Sequence, residues 1–101
     1  MITTTEVLAP GFHIREELKT REMSQSELAR RMDRPIQVIN QIVNGTKSIT
    51  ADTALDLQKV LGVSAETWLN LDSRFRLHKA QQNRKAAKRA KRILQAQPVT
   101  A

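Results

Sequence analysis

Apolar residues recur along this chain at three- and four-residue intervals, and no stretch alternates as a strand does. After Pro10-Gly11, Ile14 and Leu18 stand four apart and predict a first helix over about residues 10–21. Glu16 and Glu17 are expected in its early turns, where negative charge suits the helix dipole. Ser24-Gln25-Ser26-Glu27 is a Ser-x-x-Glu capping box ahead of Leu28 and Met32, so a short second helix follows. Asp33-Arg34-Pro35 must end it, because proline disfavours helical geometry in the residue before it. Pro35 in turn suits the first turn of a third helix, Ile36 to Asn44, with Ile39, Ile42 and Val43 on one side and a stop at Asn44-Gly45. Beyond a loop over residues 46–49, Thr50 caps a fourth helix carrying Ala54, Leu57, Val60 and Leu61 and ending at Gly62. Ser64 caps a fifth, with Glu66 and Thr67 in its first turn and Trp68, Leu69, Leu71 and Phe75 along it. Residues 80–94 can extend as helix, with a narrow stripe of Ala86, Ala87, Ala90, Ile93 and Leu94, and Pro98 ends regular structure. The fold class is all-α, five short helices plus a tail, without internal repeats.

Composition narrows the class. The 101 residues suffice for one small domain, and 40% hydrophobic content for one modest core. The absence of cysteine removes disulfides, thiolate metal sites and cysteine nucleophiles, and fits a reducing compartment. No apolar run approaches the roughly 18 residues of a membrane helix. The opening residues, Met1 to Glu6, lack a secretory pattern, so a cytoplasmic protein without membrane association is expected. The net charge of +7 is unevenly placed. Through residue 78 the charges balance; beyond it stand Lys79, Arg84, Lys85, Lys88, Arg89, Lys91 and Arg92, with no acid. The chain therefore divides into an N-terminal arm (1–9), a helical domain (10–78) and a basic tail (79–101). A segment of this kind suits a polyanion, either nucleic acid or an anionic membrane surface; a solvated helix that aids solubility is the plain alternative.

Two short helices joined by a tight turn form a helix-turn-helix candidate. Its physical demands are met in order: Ala29 is small where the helices cross, Asp33 tolerates a sharp turn, and Ile39 packs back into the core. Gln37, Asn40, Gln41 and Asn44 then form a polar face on the third helix. Gln and Asn both donate to and accept from adenine N6/N7, which suits base reading in a major groove. On an isolated amphipathic helix such a face is merely solvated; here the capping box, turn, proline and Asn-Gly exit accompany it.

The segment from Ser24 through Met32 to Val43-Asn44-Gly45 resembles the lambda-repressor-like (Xre-type) helix-turn-helix family. With Pro10-Gly11-Phe12-His13-Ile14-Arg15-Glu16-Glu17-Leu18, Ile49-Thr50-Ala51-Asp52-Thr53-Ala54-Leu55 and Trp68-Leu69-Asn70-Leu71, it looks like the HigA-type antitoxin branch, over about residues 10–78. The resemblance implies a homodimer on a palindromic DNA operator, often its own promoter, that neutralises a RelE-like ribonuclease toxin. By motif position, Gln25 would contact a phosphate and brace the recognition helix. Ile36, Gln37 and Gln41 would face base edges with Asn40 close by, and Asn44 and Lys47 would hold the backbone. Leu71 and Phe75, further round the fifth helix than Trp68 and Leu69, are assigned to the dimer surface. Arg84, Lys85, Lys88 and Arg89 of the tail are expected on DNA backbone flanking the operator, since a toxin that is itself basic is a poor match for them; the Ala/Ile/Leu stripe leaves a second option, a partner helix or dimer contact that orders on binding. A stand-alone regulator of the same fold and a sequence-indifferent polyanion adaptor are the alternatives.

Three positions depart from the family pattern. The turn reads Asp33-Arg34-Pro35 where Gly-apolar-Ser/Thr is usual, so proline replaces the hydroxyl cap. Val38 stands at a normally polar, outward position, within reach of a thymine methyl or simply exposed. His13 replaces an apolar residue and is expected as a partly buried packing histidine. Enzyme chemistry finds no support. Gly45-Thr46-Lys47-Ser48 lacks the earlier glycine of a phosphate loop, since position 40 is Asn. His13 and His78 have no metal-ligand pattern, and Asp52 and Asp56 share a helix face of the solvated kind. Neither a metal nor a cofactor is expected, nor a catalytic set.

Overall fold

The structure is a computed structural model and describes residues 8–96. Most of the expected arm and the stop at Pro98 lie outside the described residues. Five helices follow in order: α1 (Pro10–Thr20), α2 (Gln25–Met32), α3 (Ile36–Val43), α4 (Ala51–Leu61) and α5 (Ala65–Ala96). No strand occurs among the described residues.

The expected boundaries hold to within a residue or two, and each has a local cause. The Ser24 hydroxyl accepts from the Glu27 amide at 3.1 Å. Thr50 does the same for Thr53 at 3.2 Å, and Ser64 for Thr67 at 3.1 Å, each relieving an orphan amide of a helix start. Gly62 closes α4 in the left-handed region at φ 78°. Asp33, at φ 53°, makes the turn between α2 and α3 in the same region.

Several details differ from the expectation. Glu16 and Glu17 fall beyond the first turn of α1, and Glu17 pairs with Arg21, which also donates to the Leu61 carbonyl and so ties the ends of α1 and α4 together. Only half of the capping box operates, because the Glu27 carboxylate is drawn to Arg30 and Arg31 at 3.4 and 3.5 Å. Pro35 sits just outside α3, at the cap position, with no side-chain cap bond.

The core gathers Ile14 and Leu18 of α1, Leu28, Ala29 and Met32 of α2, Ile39, Ile42 and Val43 of α3, Ala54, Leu57 and Leu61 of α4, and Trp68 of α5. Ile49 joins it from the loop, where helical periodicity could not assign it a side. Val60, Leu69 and Leu71 are half-buried at its edge. At Gly11 the backbones of α1 and α3 come close together: a Cβ built there would lie 1.8 Å from the Val43 carbonyl oxygen. Trp68, 1% exposed, plugs the end of the core from α5.

The tail is helical, as the stripe over residues 80–94 allows. α5 runs through position 78 without a break, so the basic residues are carried on the same helix that contributes Trp68 to the core. This single rod is why the molecule measures 64 Å along its longest axis and only 23 Å along its shortest.

Candidate nucleic-acid interface

α3 has two faces of opposite character. Ile39, Ile42 and Val43 are buried, whereas Gln37, Asn40, Gln41 and Asn44 are exposed. Burial of one side anchors the helix and leaves the four amide side chains together on the other, each able to donate and accept. Ile36 and Val38 are both half-buried and packed against the core, so Val38 is less open than its outward position suggests. Ile36 thus flanks the polar row with part of its surface covered, and Val38 is neither a free methyl nor a fully exposed one.

The exit from α3 is fixed by backbone bonds. Asn44 closes the helix, Gly45 turns at φ 82°, and the Thr46 and Lys47 amides both donate to the Gln41 carbonyl at 3.0 and 3.2 Å. Lys47 is thereby held exposed beside the end of the polar row. Gln25 opens α2, half-buried, next to the Ser24 cap.

Two contacts that no sequence motif signals lock this unit to its neighbours. In the turn, Arg34 donates through Nε and Nη2 to Oδ2 of Asp56 on α4, at 2.9 and 2.8 Å. Asp56 is therefore a structural partner of the turn and not the solvated face residue expected from its spacing with Asp52. At the exit, Arg76 of α5 donates through Nη1 to the Gly45 carbonyl at 3.2 Å and pairs with the buried Asp72 at 3.4 Å. The Phe75 ring lies beside Gly45, 3.6 Å from where a Cβ would stand, with the Lys79 ammonium 5.6 Å from its centroid. Only the i, i+4 spacing of Asp72 and Arg76 is visible in the sequence.

Leu71 and Phe75, assigned to a dimer surface, are both half-buried within the single chain. Leu71 leaves an edge open beside Thr67, Asn70 and Arg74, whereas Phe75 is turned toward Gly45. His13 is half-buried with its ring edge-on to Phe12 at 5.5 Å, as expected of a packing histidine. Arg84, Lys85, Lys88 and Arg89 are exposed on the far half of α5, remote in sequence from the polar row.

A family model described as helix-turn-helix matches residues 14–68, from the core residue of α1 to the tryptophan of α5. The chain belongs to the Xre-like helix-turn-helix family. Within this family, it is similar to the Virulence-associated protein I of Dichelobacter nodosus, at 38% identity over 78 residues, 76% of this chain and 72% of that one. An addiction module antidote protein of the HigA family from Coxiella burnetii has the same fold, with a TM-score of 0.71 and 34% identity, covering 94% of this chain and 99% of that one. So does the Pseudomonas aeruginosa antitoxin HigA, solved with the higBA promoter, with a TM-score of 0.70 and 29% identity over 95% of this chain and all of that one. The structural neighbours of this chain thus include HigA-family antitoxins, and the likeness covers more than nine-tenths of the chain, beyond the matched residues 14–68. No helix among the described residues is long and apolar enough to cross a membrane.

Proposed function

We propose that this chain is the DNA-binding antitoxin of a type II toxin–antitoxin module, a homodimer that represses its own promoter in the bacterial cytoplasm and neutralises a RelE-like ribonuclease toxin. The observation that carries the DNA reading is the exposed row of Gln37, Asn40, Gln41 and Asn44 on a helix whose other side is buried. In this reading Gln37 and Gln41 read base edges with Asn40 and the open part of Ile36 beside them. Gln25, Asn44 and Lys47 hold phosphates and set the register. A palindromic operator requires two copies with half-sites about one helical turn apart. The open edge of Leu71, with the part of Phe75 left exposed, is the proposed two-fold contact. The antitoxin role is supported by likeness, over more than nine-tenths of the chain, to antidote proteins of the HigA family.

The test is a tagged pull-down from the native host with intact-mass analysis of what co-elutes. One small protein at fixed stoichiometry, toxic when expressed alone, supports the antitoxin reading. A dimer recovered alone or only with DNA replaces it with a stand-alone transcriptional regulator.

A further inference from the structure

The far half of α5 is a separate surface with its own chemistry. Residues 79–95 are all exposed, and they continue a helix that is anchored at its other end by Trp68, the Asp72–Arg76 pair and the Arg76 bond to Gly45. From Leu77 to Ala96 the rod extends about 30 Å past the exit of α3 at the helical rise per residue. Its faces are segregated. Arg84, Lys85, Lys88, Arg89, Lys91 and Arg92 fall within an arc of about 160°, and Ala86, Ala87, Ala90, Ile93 and Leu94 within the remaining side. Trp68 and Ala86, Asp72 and Ala90, and Phe75 and Ile93 are each separated by about five full turns. The apolar stripe therefore prolongs the side of α5 that meets the core, and the cations prolong the open side that carries Thr67, Asn70, Leu71 and Arg74.

This arrangement is unfavourable in isolation. Arg84 and Lys88, Lys85 and Arg89, and Lys88 and Arg92 are like charges at i, i+4, which weaken a helix, and no acid follows Asp72 to relieve them. None of these cations has an ion-pair partner among the described residues. A helix kept merely for solubility intersperses both signs. The charge density instead matches one kind of partner. Six cations between Arg84 and Arg92 occupy about 12 Å of helix, one per about 2 Å, and duplex DNA carries one negative charge per about 1.7 Å of its axis. A membrane surface fits less well, because three of the five apolar residues are alanine and no aromatic residue lies beyond Phe75.

We infer that the far half of α5 is a second, sequence-independent contact with the phosphate backbone of duplex DNA, made chiefly by Arg84, Lys85, Lys88 and Arg89. This rests on the DNA reading of α3 only in that both surfaces meet a duplex. The contact adds affinity and salt sensitivity and leaves base preference to α3.

The experiment uses the full chain and a variant with Arg84→Gln, Lys85→Gln, Lys88→Gln and Arg89→Gln, which keeps good helix formers at exposed positions. Binding to a random-sequence duplex and to the duplex upstream of the chain's own gene is titrated over a range of salt. The log–log slope of the variant should be shallower by about 0.9 for each phosphate contact removed, about 3.6 for all four, on both duplexes. A charge-preserving variant, Lys85→Arg with Lys88→Arg, should retain the full slope, and hydrogen exchange over residues 84–95 should slow when random duplex is added at low salt. An unchanged slope overturns the inference, as does retention of the variant's DNA binding with loss of its binding to vesicles of anionic lipid. If wild type shows no preference between the duplexes while the slope still falls, the reading of α3 fails and this surface stands.

Discussion

Arg34 donates to one carboxylate oxygen of Asp56 from two nitrogens, at 2.9 and 2.8 Å, across the gap between the helix-turn-helix turn and α4. The turn lacks the hydroxyl residue that would cap α3, since Pro35 occupies that position without a cap bond. The fork from Arg34 supplies from a distance the constraint that a local cap supplies elsewhere: it fixes the turn, and with it the start of α3. Both partners are about one-third exposed, so solvent screens the pair and its coupling is modest. A double-mutant cycle of Arg34→Ala and Asp56→Ala should give a coupling of about 1 kcal/mol by urea unfolding. Each single variant should also bind operator more weakly than its loss of stability explains. Coupling indistinguishable from zero would mean that the pair does not hold the turn.

Gly11 carries the opposite of its usual helical penalty. On propensity alone, Gly→Ala within a helix stabilises by about 1 kcal/mol. Here the added methyl would meet the Val43 carbonyl oxygen, which belongs to the last turn of α3 and cannot swing aside as a side chain can. Gly11→Ala should therefore destabilise by about 3 kcal/mol, visible as a lower urea midpoint at unchanged m-value. A stabilised Gly11→Ala protein would contradict the α1–α3 packing.

Asp72 and Arg76 connect α5 to the exit of α3, and Asp72 is buried. Asp72→Ala frees Arg76 from its partner and loosens its hold on the Gly45 carbonyl. A loss of about 1–2 kcal/mol is expected, less than for a fully buried pair because the Arg76 side chain is 32% exposed. Amide exchange at Thr46 and Lys47 should quicken by more than that of α2. Equal effects at both places would reduce Asp72 to a general packing residue.

What periodicity and capping chemistry could show, they showed: Ser24, Thr50 and Ser64 cap the helices that follow them, and the i, i+4 apolar pairs face the core. Long-range partners were not visible. Arg34 and Asp56 are 22 positions apart, and nothing local distinguishes Asp56 from the exposed Asp52 on the same helix. The same limit applies to Ile49, buried from a loop without a period, and to Ile36 and Val38, whose partial burial comes from packing against the core. The polar row of α3 was readable because burial of Ile39, Ile42 and Val43 forces its orientation. The direction of the basic tail was not, since alanine-rich and charged residues suit a helix whether it continues α5 or begins anew.

Gln37 separates base reading from backbone holding. Gln37→Ala should cost about 1–3 kcal/mol on the operator and little on random duplex, in competition binding at constant salt. Lys47→Ala should weaken both alike. A uniform loss from Gln37→Ala would place that residue among the backbone contacts.

The most direct measurement is selection of duplexes from a random pool by the full-length protein, followed by sequencing of the bound fraction. A protein that reads bases through α3 as a two-fold pair should enrich a palindromic sequence with half-sites about one helical turn apart, and the Gln37→Ala variant should lose the enrichment at defined positions. A bound pool with no enriched sequence would mean that α3 does not read DNA.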